Sequence, residues 1–444
     1  MTHTSPLSVL SLYREILTVK AARRLLRQHG LRDTGQFYTF AFLLWLMISQ
    51  RLEAPGTVAG AVGRAASGAC GRLLPQRWRK RMSCRSGGYC RARQRMPGVW
   101  MRSVANYLAT ELRKRLEQPE PPMNRPVYIV DGSSVQLAHR DGLVEQYPPA
   151  KNQHGQSHWP VVRVAVMHEA RTGLAAGMAW GPMNGPHTVS EQALVKKLIE
   201  QVLVAAILLG DRNFGIFATA FDAVAHGSAV ALRLTKERAL KLGGSDLRPG
   251  TDRAVIWKPS PWDRKHHSEL PAEAQVPGRL LVCELAGFRE PLYLFTTLTE
   301  PAAEVLRLYG LRWNIETDLR SLKQTVRLHR VTVKSDDMVE KELWAAMIAY
   351  NLVRTVLTLA AMQIGVHPRE ISFTHVLYLV NAFLPHLLAD ANSAKAKREV
   401  RRLIELATKC KLPKRHKRRS YPRAVWPSPH RFPLRSAKTS PASK

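Results

Sequence analysis

The sequence predicts an α/β protein with a mixed sheet in the middle of the chain, helices before it, and helices and a basic tail behind it. Three observations carry that prediction. Residues 8 to 118 place apolar side chains at helical spacing, as in Leu10, Tyr13, Ile16 and Leu17. From about residue 126 the pattern changes to short apolar runs that end in turn signals and alternate with helical stretches. The charge is also uneven along the 444 residues, whose 67 Lys and Arg against 34 Asp and Glu give a net +33. Met1 to Arg125 holds 22 basic and 6 acidic residues, and Ala394 to Lys444 holds 17 and 2, which leaves the middle near neutral.

The elements follow in order. Gly56 to Gly71 is rich in small residues, and Arg77 to Arg95 packs eight Arg or Lys around Trp78 and Tyr89. Pro119, Pro121, Pro122 and Pro126 mark a stiff linker. The run Pro126 to Leu137 (PVYIVDGSSVQL) reads as a strand, and Val161 to His168 with Leu174 to Trp180 as a hairpin turning at Arg171-Thr172-Gly173. Ser190 opens a helix to Leu203, Ala205 to Asp211 is a buried strand, Phe214 to His226 a helix, and Ala229 to Thr235 a strand. Gly, Pro and charged clusters then break the pattern from Glu237 to Thr299. Two strands, Leu280 to Ala286 and Leu292 to Leu298, close that β-rich insertion. Pro301 starts a long helix reaching about Arg327, and further helices run to about Ala407.

An apolar fraction of 45% is that of a folded chain, and five cysteines make no disulfide framework and fit a reducing compartment. Phe37 to Ser49 is too short to span a bilayer, and Leu343 to Gly365 is interrupted by Asn351 and Arg354, so a buried helix is expected there. The chain start lacks the pattern of a signal peptide. The expectation is an intracellular protein, cytoplasmic and without a membrane partner. Two cationic arms around a neutral core point to a phosphate backbone as the partner, because each contact releases counterions.

The candidate chemistry rests on three acids. Asp131 ends the apolar half of its strand and Asp211 ends another, and strand ends are where groups converge in an open sheet. The third, Glu316, lies in the helix from Pro301. There Tyr309, Arg312, Glu316 and Lys323 are separated by 3, 4 and 7 residues, which at helical pitch confines them to an arc of about 60°. An ordinary solvated face with an Arg312–Glu316 pair gives the same spacing, so the arc alone decides little.

Tyr309-x2-Arg312-x3-Glu316-x6-Lys323 matches the Y-R-E-K signature of the IS4-type DDE transposases, and Asp131 and Asp211 resemble that family's first and second acids. The basic ending Arg419-Ser420-Tyr421-Pro422-Arg423 is also similar to the family's C-terminus. Asn213 departs from it, standing where relatives often carry Gly. The resemblance implies an RNase H-like core in which Asp131, Asp211 and Glu316 hold two Mg2+ (or Mn2+) ions, Asp131 bridging both. It also implies that the protein nicks DNA at the inverted repeats of an element's ends and joins the 3′ ends to target DNA. Tyr309, Arg312 and Lys323 would then hold phosphates, with Arg320 and Arg212 as secondary candidates. Trp257 and Trp262 of the insertion are candidates to stack a flipped base.

The implied organisation is a helical DNA-binding domain (1–118), a linker (119–126), a catalytic core (127–236 with 300–335), the insertion (237–299), C-terminal helices (336–407) and a basic tail (408–444). Double-stranded DNA and a second copy of the chain are the expected partners, since two ends are cut and joined together. The competing readings are an RNase H-like nuclease or junction resolvase without strand transfer, and an inactive DNA-binding relic.

Overall fold

The computed structural model describes residues 6–413, apart from 17, 33–36, 54–55, 75, 117–120, 122, 153–154, 285–289, 329 and 390–393. Residues 119, 120 and 122 of the Pro-rich linker, and residues 414–444 of the tail, which include Arg419 to Arg423, lie outside the described residues.

The N-terminal region is helical: α1 (Pro6–Ile16), α2 (Val19–Arg27), α3 (Phe40–Leu52), α4 (Val58–Ala66), α5 (Gln76–Arg79), α6 (Gly87–Arg95) and α7 (Gly98–Leu116). Threonines cap three of them, each accepting a bond from the third residue of its helix: Thr18 from Ala21, Thr39 from Phe42 and Thr57 from Gly60. Apolar on all sides, α3 is buried along almost its whole length.

The sheet begins with β1 (Val127–Leu137), followed by α8 (Asp141–Gln146) and the short pair β2 (Lys151–Asn152) and β3 (Gly155–Gln156). The predicted hairpin is β4 (Val161–Glu169) and β5 (Ala175–Pro182). Its turn takes Gly173 at φ +73°, a backbone conformation that L side chains rarely adopt. Next come α9 (Glu191–Val202), capped by Ser190 as expected, β6 (Ile207–Gly210), α10 (Phe217–Ala225) and β7 (Ala229–Arg233). The insertion contributes α11 (Lys236–Gly243), β8 (Asp252–Trp257), α12 (Pro261–His266), β9 (Val276–Cys283) and β10 (Leu292–Thr296).

The strand order is β5-β4-β1-β6-β7-β10-β9-β8. β4 pairs antiparallel with β1 and β5 antiparallel with β4, whereas β6 and β7 run parallel to β1. Three antiparallel strands followed by two parallel ones reached through helices is the RNase H-like arrangement. The strands of the insertion do not form a sheet of their own: β10 pairs with β7 and carries β9 and β8 outward along the same sheet.

Alternation along β1 separates two cores. Tyr128 and Val130 face the layer of α9 and α10, and Val127 and Ile129 face the other side. That other side is covered by α7 and by α15 (Asp336–Gln363), α16 (Phe373–Leu384) and α17 (Ala394–Thr408). Helices from both ends of the chain thus share one apolar core, and Met1–Lys411 forms a single compact unit. By length and composition α15 is able to cross a membrane, but 94% of its apolar window is buried inside the protein. Its Asn351 is used internally, exchanging two bonds with the backbone of Ala175.

Candidate active site at the ends of β1 and β6

β1 and β6 pair in parallel with Ile129 opposite Leu209. Continued by two residues, that register sets Asp131 beside Asp211, on strands about 4.8 Å apart. The Asp131 carboxylate accepts from the Gly132 N–H (2.7 Å), and Asp211 accepts from the Asn213 N–H (2.8 Å). Burial pushes the Asp131 carboxyl up to about 6. Asp211 and Glu191 add to the rise, and the Gly132 N–H and Arg312 oppose it.

Asp131 stands mid-strand in β1, just past the pairing with β6, and the segment carrying the third acid passes the end of β6, but not as one regular helix. It divides into α13 (Ala302–Tyr309), a 3₁₀ turn over Gly310–Trp313, α14 (Asn314–Arg320) and a π turn over Ser321–Thr325. A 3₁₀ turn has three residues per turn and a π turn more than the α-helix, so the uniform 100° spacing does not hold through the segment. Tyr309 and Arg312, three apart and joined across the 3₁₀ turn, are both buried, whereas Glu316 and Arg320 are exposed and Lys323 half-buried. The Tyr309 hydroxyl donates to the Gly210 carbonyl (3.3 Å), tying α13 to the last residue of β6. Burial pushes that phenol up to about 12, with Arg312 pulling it down. The Arg312 guanidinium lies over the Trp313 ring, 4.7 Å from its centroid.

Of the other predicted residues, Arg212 is exposed beside Asp211. Trp257 is 6% exposed, with Phe217 and Phe295 packed edge-on against it, so core packing takes its ring faces. Trp262 is 58% exposed, stacks on His266, and borders a cleft with Arg238, Lys241 and Lys258.

Two features had no clear signal in the sequence. One is Glu191, which leans on Gly132. The other is Asp318, two residues beyond Glu316 and fully buried. It pairs with Arg354 of α15 and with Arg369 (2.6 Å). Burial would raise the Asp318 carboxyl, but Arg369 and Arg354 more than offset that and hold it below the usual carboxylate range. Arg369 also donates to the Ala170 carbonyl (2.8 Å) and Arg354 to the Tyr350 hydroxyl (2.9 Å). The helix of Glu316 is therefore moored to both α15 and the β4–β5 hairpin.

Carboxylate oxygens of this kind suit a hard divalent cation. Among the described residues, however, no group of three or more His, Cys, Asp or Glu side chains is close enough to hold a metal ion. The two aspartates are brought side by side; Glu316 is not gathered with them into such a group.

Residues 122–352 match the family model described as "Transposase DDE domain". The chain belongs to that family. The transposase InsG for insertion sequence element IS4, of Escherichia coli (strain K12), is 29% identical over 307 residues. That alignment covers 66% of this chain and 66% of InsG, just under two thirds of its length. A cryo-EM structure of the piggyBac transposase synaptic complex with hairpin DNA matches over 91% of this chain and 85% of that one. Its TM-score is 0.44 and its sequence identity 12%. The RNase H-like assignment stands on the strand order itself. For a DDE transposase domain, the span 122–352 takes in β1, β6 and all of α13 and α14, so Asp131, Asp211 and Glu316 all fall within the matched residues.

Proposed function

We propose that this protein is a DNA transposase that cuts phosphodiester bonds at the inverted-repeat ends of its element and joins the 3′ ends to target DNA. The observation that carries this reading is the pair Asp131 and Asp211, each two residues beyond the parallel pairing of β1 with β6 and beside the Tyr309–Arg312 turn, inside the matched DDE domain. Asp131, Asp211 and Glu316 are its metal-holding residues, for two Mg2+ or Mn2+ ions. Bound there, the ions would supply an activated oxygen nucleophile and stabilise the leaving oxygen.

The chain's own residues do the positioning. Asp131 and Asp211 are braced by backbone N–H donors, so their free oxygens have fixed directions. Arg312 presents a planar fork suited to a phosphate beside the scissile bond, and Tyr309 fixes the turn that carries it. Lys323 adds a second cation, and Arg320 and Arg212 are exposed for the flanking backbone. Trp262, rather than the buried Trp257, would stack a base, on the ring face opposite His266. The N-terminal helices and the basic tail would read and grip double-stranded DNA, with two copies of the chain acting on two ends. Such a protein works in the bacterial cytoplasm, on the nucleoid.

The test is incubation of purified protein with end-bearing DNA and Mg2+, alongside Asp131→Ala, Asp211→Ala and Glu316→Ala. Each variant should lose cleavage by about 100-fold or more while still binding DNA. Cutting that persists in EDTA or in all three variants rules the reading out. Cleavage without strand joining would favour the nuclease alternative.

A further inference from the structure

The nine residues of α2 divide into two faces. Ala21, Leu25 and Leu26 are buried, and the helix packs against α1, α3 and α7. Lys20, Arg23, Arg24 and Arg27 are all exposed, and so is Arg32 just beyond the helix. No acid occurs in the sequence between Glu15 and Asp33, and among the described residues none of these five cations has a carboxylate partner.

This row of charge works against the helix that carries it. Lys20 stands in the first turn, which holds no acid, where the macrodipole disfavours a cation. Lys20–Arg23 and Arg24–Arg27 are three apart, Lys20–Arg24 and Arg23–Arg27 four apart, so all four pairs set like charges side by side. Nine residues are too few to form a helix in isolation, and α2 is held by its buried face instead. Two contacts fix it to α7: the Arg24 guanidinium lies over the Tyr107 ring (5.3 Å), and His29 Nε2 is 2.6 Å from the Ser103 hydroxyl. Gly30, at φ +66°, then turns the chain, and the Leu31 N–H donates back to the Leu26 carbonyl (3.0 Å). That turn brings Arg32 to the cleft of about 590 Å³ that Arg23 and Arg27 also border.

The occupant follows from what the face offers and what it lacks. A helix that binds a bilayer needs its apolar face free, and that of α2 is spent on the core. A protein partner is held by a buried apolar or aromatic centre, and none of the large exposed hydrophobic side chains belongs to α2. A polyanion needs only closely spaced cations, and guanidinium forks match phosphate oxygens. We infer that the outer face of α2, continued by Arg32, is a docking surface for the phosphate backbone of double-stranded DNA. It grips the duplex without reading bases, and a phosphate between the arginines relieves their mutual repulsion. This deepens the transposase reading and rests on it.

The experiment measures binding of the full-length protein to a short duplex of arbitrary sequence, by fluorescence anisotropy in EDTA at several KCl concentrations. Replacing Arg23, Arg27 and Arg32 together by Gln should make the slope of log binding constant against log salt shallower by about 2 to 3. Replacing the same three by Lys should keep the wild-type slope, because a lysine also neutralises a phosphate. Without DNA the Gln variant should melt no lower than wild type, since it removes like-charge pairs. A Gln variant that melts lower would assign the arginines to the fold and overturn the inference. Replacing the exposed Lys397, Arg398 and Arg401 of α17 by Gln controls for overall charge. An equal loss of slope there makes the effect one of net charge and also overturns it. So does a Gln variant that keeps the wild-type slope but loses binding to phosphatidylserine vesicles, which would make the partner a membrane. If the Gln variant keeps the slope while wild type cuts end-bearing DNA with Mg2+, the surface is refuted and the transposase reading stands. If wild type neither binds the duplex nor cuts, both fail.

Discussion

Arg312 is 8% exposed, beside Asp131 and Tyr309 and over the Trp313 ring. A buried guanidinium with fork geometry left for a ligand differs chemically from an ammonium point charge. Arg312→Lys should therefore keep the fold and the metal dependence but lower single-turnover cleavage by about 100-fold; cleavage within a few-fold of wild type would remove the fork from the mechanism. Lys323 lies in the π turn and is half-buried. Lys323→Ala should slow turnover at unchanged Mg2+ dependence, measured on the same end-bearing DNA; unchanged turnover would take Lys323 out of the site.

The helical segment after Pro301 was legible as helix, because its apolar residues recur at helical spacing. Its 3₁₀ and π turns were not, since side-chain types do not encode which carbonyl each N–H selects. The strands were legible for a similar local reason: β1, β4 and β6 are short apolar runs closed by turn residues. Asp131 and Asp211 stood out because each ends such a run. Glu191 did not, because its place beside β1 depends on the room left by Gly132, 59 positions earlier. Asp318 was equally hidden, as its partners Arg354 and Arg369 come from later elements.

That mooring makes two element-level predictions. Asp318→Ala leaves two arginines without their shared buried counter-charge, and should cost about 3–5 kcal/mol in urea unfolding. A loss below about 1 kcal/mol would mean that α14 is held mainly by Ile315 and Leu319. Beside it, His168 is fully buried, its Nδ1–H donating to the Gly173 carbonyl (3.1 Å) and its ring edge-on to Tyr350. Burial lowers its pKa to about 4 from an ordinary 6.5. The unfolded chain therefore takes up a proton at higher pH than the folded one. The stability that neutral His168 contributes is complete above about pH 6.5 and is lost as pH falls towards 4, by on the order of 3 kcal/mol. His168→Gln should flatten that part of the stability profile; an equal loss in wild type and variant between pH 6.5 and 4 would assign it to other groups.

Across the whole molecule, a near-neutral core lies between two cationic ends of the sequence, and DNA is a line of phosphates longer than one active site. Each phosphate neutralised by Lys or Arg lowers the slope of log binding constant against log salt by about 0.9. Residues 414–444 hold ten Lys or Arg and no acid. Removing them should leave metal-dependent cleavage of bound ends intact, because Asp131, Asp211 and Glu316 all precede the deletion. The salt slope of DNA binding should become shallower by about 0.9 for every phosphate that the tail no longer neutralises, and non-specific affinity should fall more than the preference for end sequence. Sequence reading would then reside with the N-terminal helices, whose own cations remain. A truncated protein with the wild-type slope would mean that the tail does not touch the backbone. One that loses end preference while keeping the slope would move recognition of the repeat from the helices to the tail.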